Sequence, residues 1–227
     1  MSSTEQTVRK EIAVMKTCQH INLVKLFEVI DDIQHDRIYL AMELVSGGPI
    51  PWRTASDEPV LTIDQTRRII RDVILGLDYL HYHGIIHRDI KPSNIMWSED
   101  RVAKIIDFGV SHYIHEGAAP GQSCLHLEDD VIFPEKDLKR TIGTPKFIAP
   151  EVVCNLPAAA AARPPITKAI DVWALGVTFY CLLFGKTPFN VSSNSNTHSR
   201  HSEYILYKTS MSYPDMTYFL SFLFLQG

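Results

Sequence analysis

The chain has 227 residues, a net charge of −4 at pH 7 and a hydrophobic fraction of 45%. That fraction is typical of a globular protein, and the small negative charge gives no general attraction to nucleic acid or to an anionic membrane surface. The four cysteines show no C-x-x-C spacing and the first residues are too polar for a signal peptide. We therefore expect free thiols in a reducing compartment and a cytoplasmic protein.

The first predicted elements are one helix and two strands. Apolar residues recur at helical spacing from Val8 onward, which predicts a helix over residues 7–18 with Glu11 beside the apolar stripe. Alternating apolar residues predict strands over 23–30 and 38–45, joined by a polar turn.

The strongest helical pattern covers residues 63–83. Thr62 and Gln65 form a T-x-x-Q capping box at its start, and Gly84 is suited to end it. Six positions form the predicted buried stripe: Ile69, Ile70, Val73, Ile74, Leu77 and Leu80.

Two later segments complete the predicted elements. Residues 94–97 and 102–106 predict a tight hairpin, which would place Asn94 and Asp107 at adjacent strand ends. Residues 168–184 are apolar nearly all round, which predicts a fully buried helix.

The most informative motif lies between these segments. Residues 87–94 read H-R-D-I-K-P-S-N, and Asp107-Phe108-Gly109 follows thirteen positions after Asn94. This is the order and approximate spacing of the catalytic and metal-binding loops of a protein kinase. A chance origin would require both motifs, Lys91 and Asn94 to coincide, so the kinase interpretation is favoured.

The residue types in this motif suit phosphoryl transfer from ATP. Such transfer needs a positioned acceptor hydroxyl and neutralised phosphate charge. Asp89 would hold and deprotonate the hydroxyl, and Lys91 would reach the γ-phosphate. Asn94 and Asp107 would hold Mg²⁺ through hard oxygen ligands.

Residues 8–189 resemble a eukaryotic protein kinase, from the helix that carries the ATP-site glutamate to just past the central helix of the second lobe. Residues 141–145 (TIGTP) with 149–151 (APE) are similar to the end of an activation segment, and 171–177 (DVWALGV) to the start of that central helix. The finer resemblance is to calcium/calmodulin-dependent protein kinase kinases and their fungal relatives. It rests on E-I-A-V-M-K, E-L-V, Y-L-H-Y and the motifs above.

The resemblance implies an α+β, bilobal protein kinase-like fold that is incomplete. Residues 1–48 would be a remnant of the first lobe, and 49–190 the second lobe up to its central helix. Residues 191–227 are rich in Ser, Asn and aromatic residues, and we expect a non-kinase tail there. Residues 116–139 would be a mobile insert in the activation segment.

The resemblance also implies roles around ATP. Glu11 would pair with a strand lysine that orients the phosphates, although an exposed helix charge is the alternative. Met42 would be the gatekeeper, Glu43 and Val45 the hinge, and Met96 the apolar floor under adenine. Plain core packing is the alternative for Met42 and Met96.

Further implied roles concern substrate type and regulation. Lys91 together with Thr144, which would hydrogen-bond Asp89 and Lys91, resembles the serine/threonine kinase pattern. Arg88 would bind a phosphate on Thr141 and so order the activation segment; an unmodified Thr141 is the alternative.

A stack of side chains is implied to link the lobes. Met15, Leu26, His87 and Phe108 match this stack, with Asp171 as its anchor, so His87 would be a packing residue rather than an acid or base.

Two departures from the family pattern shape the functional prediction. No glycine-rich loop and no V-A-I-K lysine precede Glu11, and the last helices of the second lobe are not recognisable after Phe189. We therefore expect a chain truncated at both ends.

Two functions remain open. One is ATP-dependent phosphorylation of serine or threonine on proteins, with another kinase as substrate and Mg²⁺ as cofactor. The other is a catalytically inactive interaction module. Calmodulin, if a partner, would bind outside these residues; no nucleic acid or membrane partner is expected.

Overall fold

The computed structural model describes residues 3–35, 37–114, 135–138, 140–153 and 166–189. Five helices and six strands occur in this part of the chain. The helices are α1 (Ser3–Thr17), α2 (Ile63–Tyr82), α3 (Glu135–Leu138), α4 (Pro150–Val153) and α5 (Ala169–Phe184). The strands are β1 (Leu26–Asp32), β2 (Arg37–Met42), β3 (Ile85–Ile86), β4 (Ile95–Trp97), β5 (Ala103–Ile105) and β6 (His112–Tyr113). They pair antiparallel as β1–β2, β3–β6 and β4–β5. The mixed helices and strands agree with the predicted α+β class.

Helix α1 and the β1–β2 hairpin form the first structural unit. The helix starts four residues earlier than residue 7, and both strands are displaced from the predicted ranges. Leu23 and Val24 were predicted to lie in the first strand, but they are buried against β5 instead, where the Val24 amide donates to the Ile105 carbonyl at 3.0 Å. The chain therefore makes a core contact before β1 begins.

Helix α2 agrees closely with its prediction. The Thr62 hydroxyl accepts from the Gln65 amide and the Gln65 side chain accepts from the Thr62 amide, which confirms the capping box. Gly84 follows with φ of 74°, a backbone conformation that glycine adopts without steric cost. The predicted buried stripe is correct except at Ile74, which is 44% exposed.

Helix α5 packs against α2 and the catalytic loop. Its inner residues belong to the main core, but Val172 is 60% exposed and Phe184 is 45% exposed. The prediction of a fully buried helix is therefore wrong at these two positions, because the apolar sequence pattern does not record which side meets other elements.

Two hydrophobic clusters hold the catalytic segment between them. The larger contains residues of α1, α2, α5 and the β4–β5 hairpin, and so joins the first structural unit to these later elements. The smaller surrounds the activation segment: Ile86, Leu138, Ile148, Ala149, Val152 and Ile170. The predicted tail over residues 191–227 lies outside the described residues.

Candidate active site

Asp89 lies at the centre of a hydrogen-bonded cluster. Its Oδ2 accepts from Lys91 Nζ at 2.6 Å and from Asn94 Nδ2 at 3.0 Å, and its Oδ1 accepts from the Thr144 hydroxyl at 2.8 Å and the Thr144 amide at 3.0 Å. Lys91 Nζ also donates to the Thr144 hydroxyl at 2.7 Å. The structure therefore brings together Asp89, Lys91, Asn94 and Thr144, which are separated by up to 55 positions in sequence.

The Asp171 side chain anchors the backbone of the catalytic loop. This fully buried carboxylate accepts from the amides of His87 at 2.9 Å and Arg88 at 2.8 Å. His81 Nε2 lies 2.8 Å from the same carboxylate. Arg88 has φ of 69°, a left-handed conformation that is costly for a side chain larger than glycine. The Asp171 hydrogen bonds hold the loop in this conformation and so aim Asp89 into the site.

The two predicted metal ligands stand at adjacent strand ends. Asn94 precedes β4 and Asp107 follows β5, and the Ile106 amide donates to the Asn94 carbonyl at 3.0 Å. The Asn94 side-chain nitrogen donates to the Asp89 carbonyl at 2.9 Å as well as to its carboxylate, so the Asn94 oxygen is the atom suited to a cation. Asp107 is exposed, with φ of 66°.

This donor set fits Mg²⁺ bound together with phosphates. Mg²⁺ is usually held by one or two carboxylates plus substrate oxygens and water rather than by an all-protein cage. The fit rests on the Asp107 carboxylate and the Asn94 side-chain oxygen, which are both hard oxygen donors.

Glu11 faces the metal loop from helix α1. A Cβ atom added to Gly109 would lie 3.3 Å from Asp107 Oδ1 and 3.6 Å from Glu11 Oε2. Burial, and secondarily the charge of Asp107, raise the pKa of the Glu11 carboxyl. Glu11 has no ion-pair partner among the described residues, and Lys10 pairs instead with Asp137. Glu11 is partly buried, and its pairing with a lysine stays a prediction.

The predicted adenine residues differ in burial and in their contacts. Val45 is buried, and Met96 on β4 packs partly buried against the same main cluster. Met42 is 47% exposed at the end of β2. The Glu43 amide donates to the Lys25 carbonyl at 2.8 Å, while its carboxylate pairs with Lys104 at 3.0 Å.

Two of the stack residues, His87 and Phe108, are buried, and their rings meet edge to face at 5.4 Å between centroids. Burial lowers the pKa of His87, although the charge of Asp171 opposes this. The His87 imidazole is thus buried in ring contact with Phe108, and its packing role stays a prediction.

The Arg88 guanidinium contacts the backbone of the activation segment. It donates to the carbonyls of Asp137 and Arg140, each at 3.0 Å. Thr141 is exposed, and its hydroxyl lies 3.4 Å from the Val152 carbonyl. The phosphate site on Thr141 stays a prediction.

Sequence reasoning missed two contributors to the site. His81 was noted only as part of a resemblance motif, and nothing in its sequence context indicated its contact with Asp171. Gly143 has φ of 115°, and a Cβ atom there would lie 2.7 Å from the Arg88 carbonyl. The glycine between Ile142 and Thr144 was the available signal.

Comparisons with known proteins agree with this geometry. The family model described as "Protein kinase domain" matches residues 1–219. The chain belongs to the protein kinase family.

Several curated kinases are similar to this chain. Serine/threonine-protein kinase ssp1 of Schizosaccharomyces pombe is 50% identical over 191 residues, 84% of this chain and 27% of that protein. SNF1-activating kinase 1 of Saccharomyces cerevisiae is 42% identical over 82% of this chain and 17% of its own length. A calcium/calmodulin-dependent protein kinase kinase of Caenorhabditis elegans is 39% identical over 81% of this chain and 30% of its own length.

These relatives confirm the resemblance to the serine/threonine kinases of the calmodulin-dependent kinase kinase group and their fungal counterparts. The chain spans between 17% and 32% of the length of the yeast kinases that it matches. Separately, none of the described helices is both long and apolar enough to cross a membrane.

Proposed function

We propose that this kinase transfers the γ-phosphoryl group of ATP to serine or threonine hydroxyls of protein substrates, with Mg²⁺ as cofactor. The observation that carries the proposal is the cluster of Asp89, Lys91, Asn94 and Thr144 beside the exposed Asp107 carboxylate. These are the groups that phosphoryl transfer requires, namely a carboxylate for the acceptor, a cation for the phosphate and oxygen ligands for a metal.

The hydrogen bonds of Asp89 define how an acceptor hydroxyl would enter. A carboxylate has about four lone-pair positions, and four donors already contact the Asp89 oxygens. Thr144 contributes two of them from a backbone fixed by Gly143. Lys91 is the donor on a flexible side chain, so it would leave Asp89 for the γ-phosphate and free an oxygen for the acceptor hydroxyl. Asp89 would then orient that hydroxyl and take its proton.

Asn94 and Asp107 would hold Mg²⁺, which neutralises phosphate charge when it is bound. Glu11 would contribute to the same region by holding a cationic partner near the phosphates. Adenine would lie between Val45 and Met96. Because the Glu43 amide is already bonded to Lys25, the hinge contacts would come from the Glu43 carbonyl and the Val45 amide, with Met42 at the back.

The substrate class is the finer part of the proposal. One similar protein is named a SNF1-activating kinase and another a kinase kinase, which supports another protein kinase as the substrate. A calmodulin contact, suggested only by the second name, would lie outside these residues.

The test uses the full-length protein with peptides that differ only in a serine, threonine or tyrosine acceptor. We expect Mg²⁺-dependent phosphorylation of the first two. Asp89→Asn should lower kcat by about 10²–10⁴-fold, the usual contribution of a general base. Asp78→Asn, which removes an exposed carboxylate from α2, is the matched control and should leave kcat unchanged. Equal activity of Asp89→Asn and wild type would refute the assignment.

A non-catalytic interaction module is the second candidate. It is favoured by one observation, the lack of an ion-pair partner for Glu11 among the described residues. Under this alternative the protein would bind a kinase substrate with no turnover, and Asp89→Asn would leave that binding unaltered.

A further inference from the structure

The predicted mobile insert contains a docked element. Residues 116–139 were expected to be mobile, but residues 135–138 form α3, while the rest of that range lies outside the described residues. Leu138 is only 8% exposed and packs in the smaller cluster with Ile148, Val152 and Ile170. Helix α3 is therefore fixed to the second lobe by its apolar residue.

Arg88 contacts the same segment through its charged group. The residue is only 9% exposed, and a guanidinium removed from water needs compensating acceptors. The carbonyls of Asp137 and Arg140 provide them, each at 3.0 Å from Nη2. Burial lowers the pKa of Arg88, and the nearby Asp137 carboxylate opposes that effect. Arg88, the residue before Asp89, is thus held by the backbone carbonyls of Asp137 and Arg140.

Asp137 also reaches the first structural unit. Its carboxylate accepts from Lys10 Nζ at 2.7 Å, and both side chains are about one-fifth exposed, at 21% and 22%. The hydrogen bond from Lys10 lowers the pKa of Asp137. By contrast, Arg9 on the same helix pairs with Glu5 at 3.2 Å in an exposed position within α1. Lys10, one residue before Glu11, is therefore a cation of α1 that contacts the activation segment.

We infer that Lys10 and Asp137 are positioning residues, and that their ion pair couples the placement of α1 and Glu11 to the ordering of the activation segment around Arg88. Lys10 holds Asp137 by its side chain, Asp137 and Arg140 hold Arg88 by their carbonyls, and Arg88 is the backbone neighbour of Asp89. The Asp137 carboxylate thereby links helix α1 to the activation segment. This inference rests on the proposed kinase function for its effect on turnover, but its structural part can be measured without turnover.

The test is a double-mutant cycle in the full-length protein. Lys10→Met and Asp137→Asn remove one charge each and keep the backbone carbonyls that Arg88 contacts. Amide hydrogen exchange of residues 135–141 measures directly how well the ion pair orders this segment. The kcat with peptide substrate measures the effect of that ordering on the active site. We expect each single variant to increase exchange and lower kcat by roughly two- to fivefold, the scale of a partly exposed ion pair.

The effect of the double variant should then be smaller than the sum of the two single effects, because the interaction that Lys10 and Asp137 share can be lost only once. Lys10→Arg should retain protection and kcat, since it keeps the cation. Arg9→Met is the matched control on α1, and Arg140→Met removes the exposed side chain 3.9 Å from Asp137; both should resemble wild type.

Additive effects of the two substitutions, or unchanged exchange in Lys10→Met, would overturn the inference. If Lys10→Met and Asp137→Asn lose exchange protection but the wild-type protein shows no phosphoryl transfer, the coupling by the ion pair is supported and the proposed function is refuted. The two failures are therefore distinguishable.

Discussion

Removal of the Thr144 hydroxyl should lower kcat by about ten- to a hundredfold. This hydroxyl donates to Asp89 at 2.8 Å and accepts from Lys91 at 2.7 Å. It therefore sets the distance between the Asp89 carboxylate, which would act on the acceptor hydroxyl, and the Lys91 ammonium group, which would contact the γ-phosphate. Thr144→Val removes both hydrogen bonds and keeps the branched shape of the side chain.

The magnitude follows from the hydrogen bonds that remain. The Thr144 amide still donates to Asp89 at 3.0 Å, so the carboxylate is not released completely. A hydrogen bond to a charged group contributes about 1.5–3 kcal/mol. Lys91 would move to the γ-phosphate, so the bond from Thr144 to Asp89 is the one counted in the transition state. Each 1.36 kcal/mol in the barrier is a factor of ten in rate, so the loss of this one bond corresponds to about ten- to a hundredfold.

The assay compares steady-state kcat at saturating ATP for wild type, Thr144→Val and Thr144→Ser. The serine variant keeps the hydroxyl and should stay within about threefold of wild type, a difference of under 1 kcal/mol. Melting temperatures show whether either variant is unfolded. Equal kcat for Thr144→Val and wild type, or equal losses in the valine and serine variants, would refute the reasoning.

Three further predictions concern metal binding, helix stability and the thiols. Asp107→Asn keeps a residue type that tolerates the positive φ of 66°. It should weaken ATP·Mg²⁺ binding by at least about tenfold with little change in adenosine affinity; equal losses in calorimetric titrations would make Asp107 structural only. Thr62→Ala removes the α2 cap and should cost about 0.5–2 kcal/mol in the free energy of unfolding, with Thr62→Ser as the matched control in urea titrations; no shift in midpoint would contradict the cap assignment. Burial raises the pKa of the Cys18 and Cys181 thiols to about 12, so neither should react with an alkylating reagent at pH 8 before unfolding. Since unfolded thiols ionise near pH 8.5, the folded state retains protons that the unfolded state loses, and stability should fall as pH rises from about 8.5 towards 12. Rapid alkylation of Cys18 or Cys181 in the native protein, located by peptide mapping, would argue against this burial.

The sequence predicted the elements whose limits are set by local chemistry. Helix α2 begins at the Thr62 cap and ends before Gly84 because both signals act within one turn of the helix. The first-unit strands were less predictable. Leu23 and Val45 are apolar because they contact the second lobe, so an alternating pattern extended both strands beyond their true ends.

Contacts within the site were predictable for the residues of the catalytic motif and for Thr144, because the kinase resemblance assigns each of them a definite chemical role. Asp89, Lys91 and Thr144 were expected to meet, and they do. The contact between Lys10 and Asp137 was not predicted, because a lysine on a helix and an aspartate in a polar insert are each typical of solvent-exposed positions. Only tertiary packing through Leu138 brings them within 2.7 Å.

The two sides of the site differ in how far they are completed by the described residues. Asp89 is held by four donors, and the loop beneath it is held by a buried Asp171. Glu11 and Asp107, in contrast, are two carboxylates whose mutual repulsion helps to raise the pKa of Glu11. A cation between them would relieve this repulsion. Cation and nucleotide binding should therefore order the Glu11 side more than the Asp89 side, and the Lys10–Asp137 pair lies where that ordering would reach the activation segment.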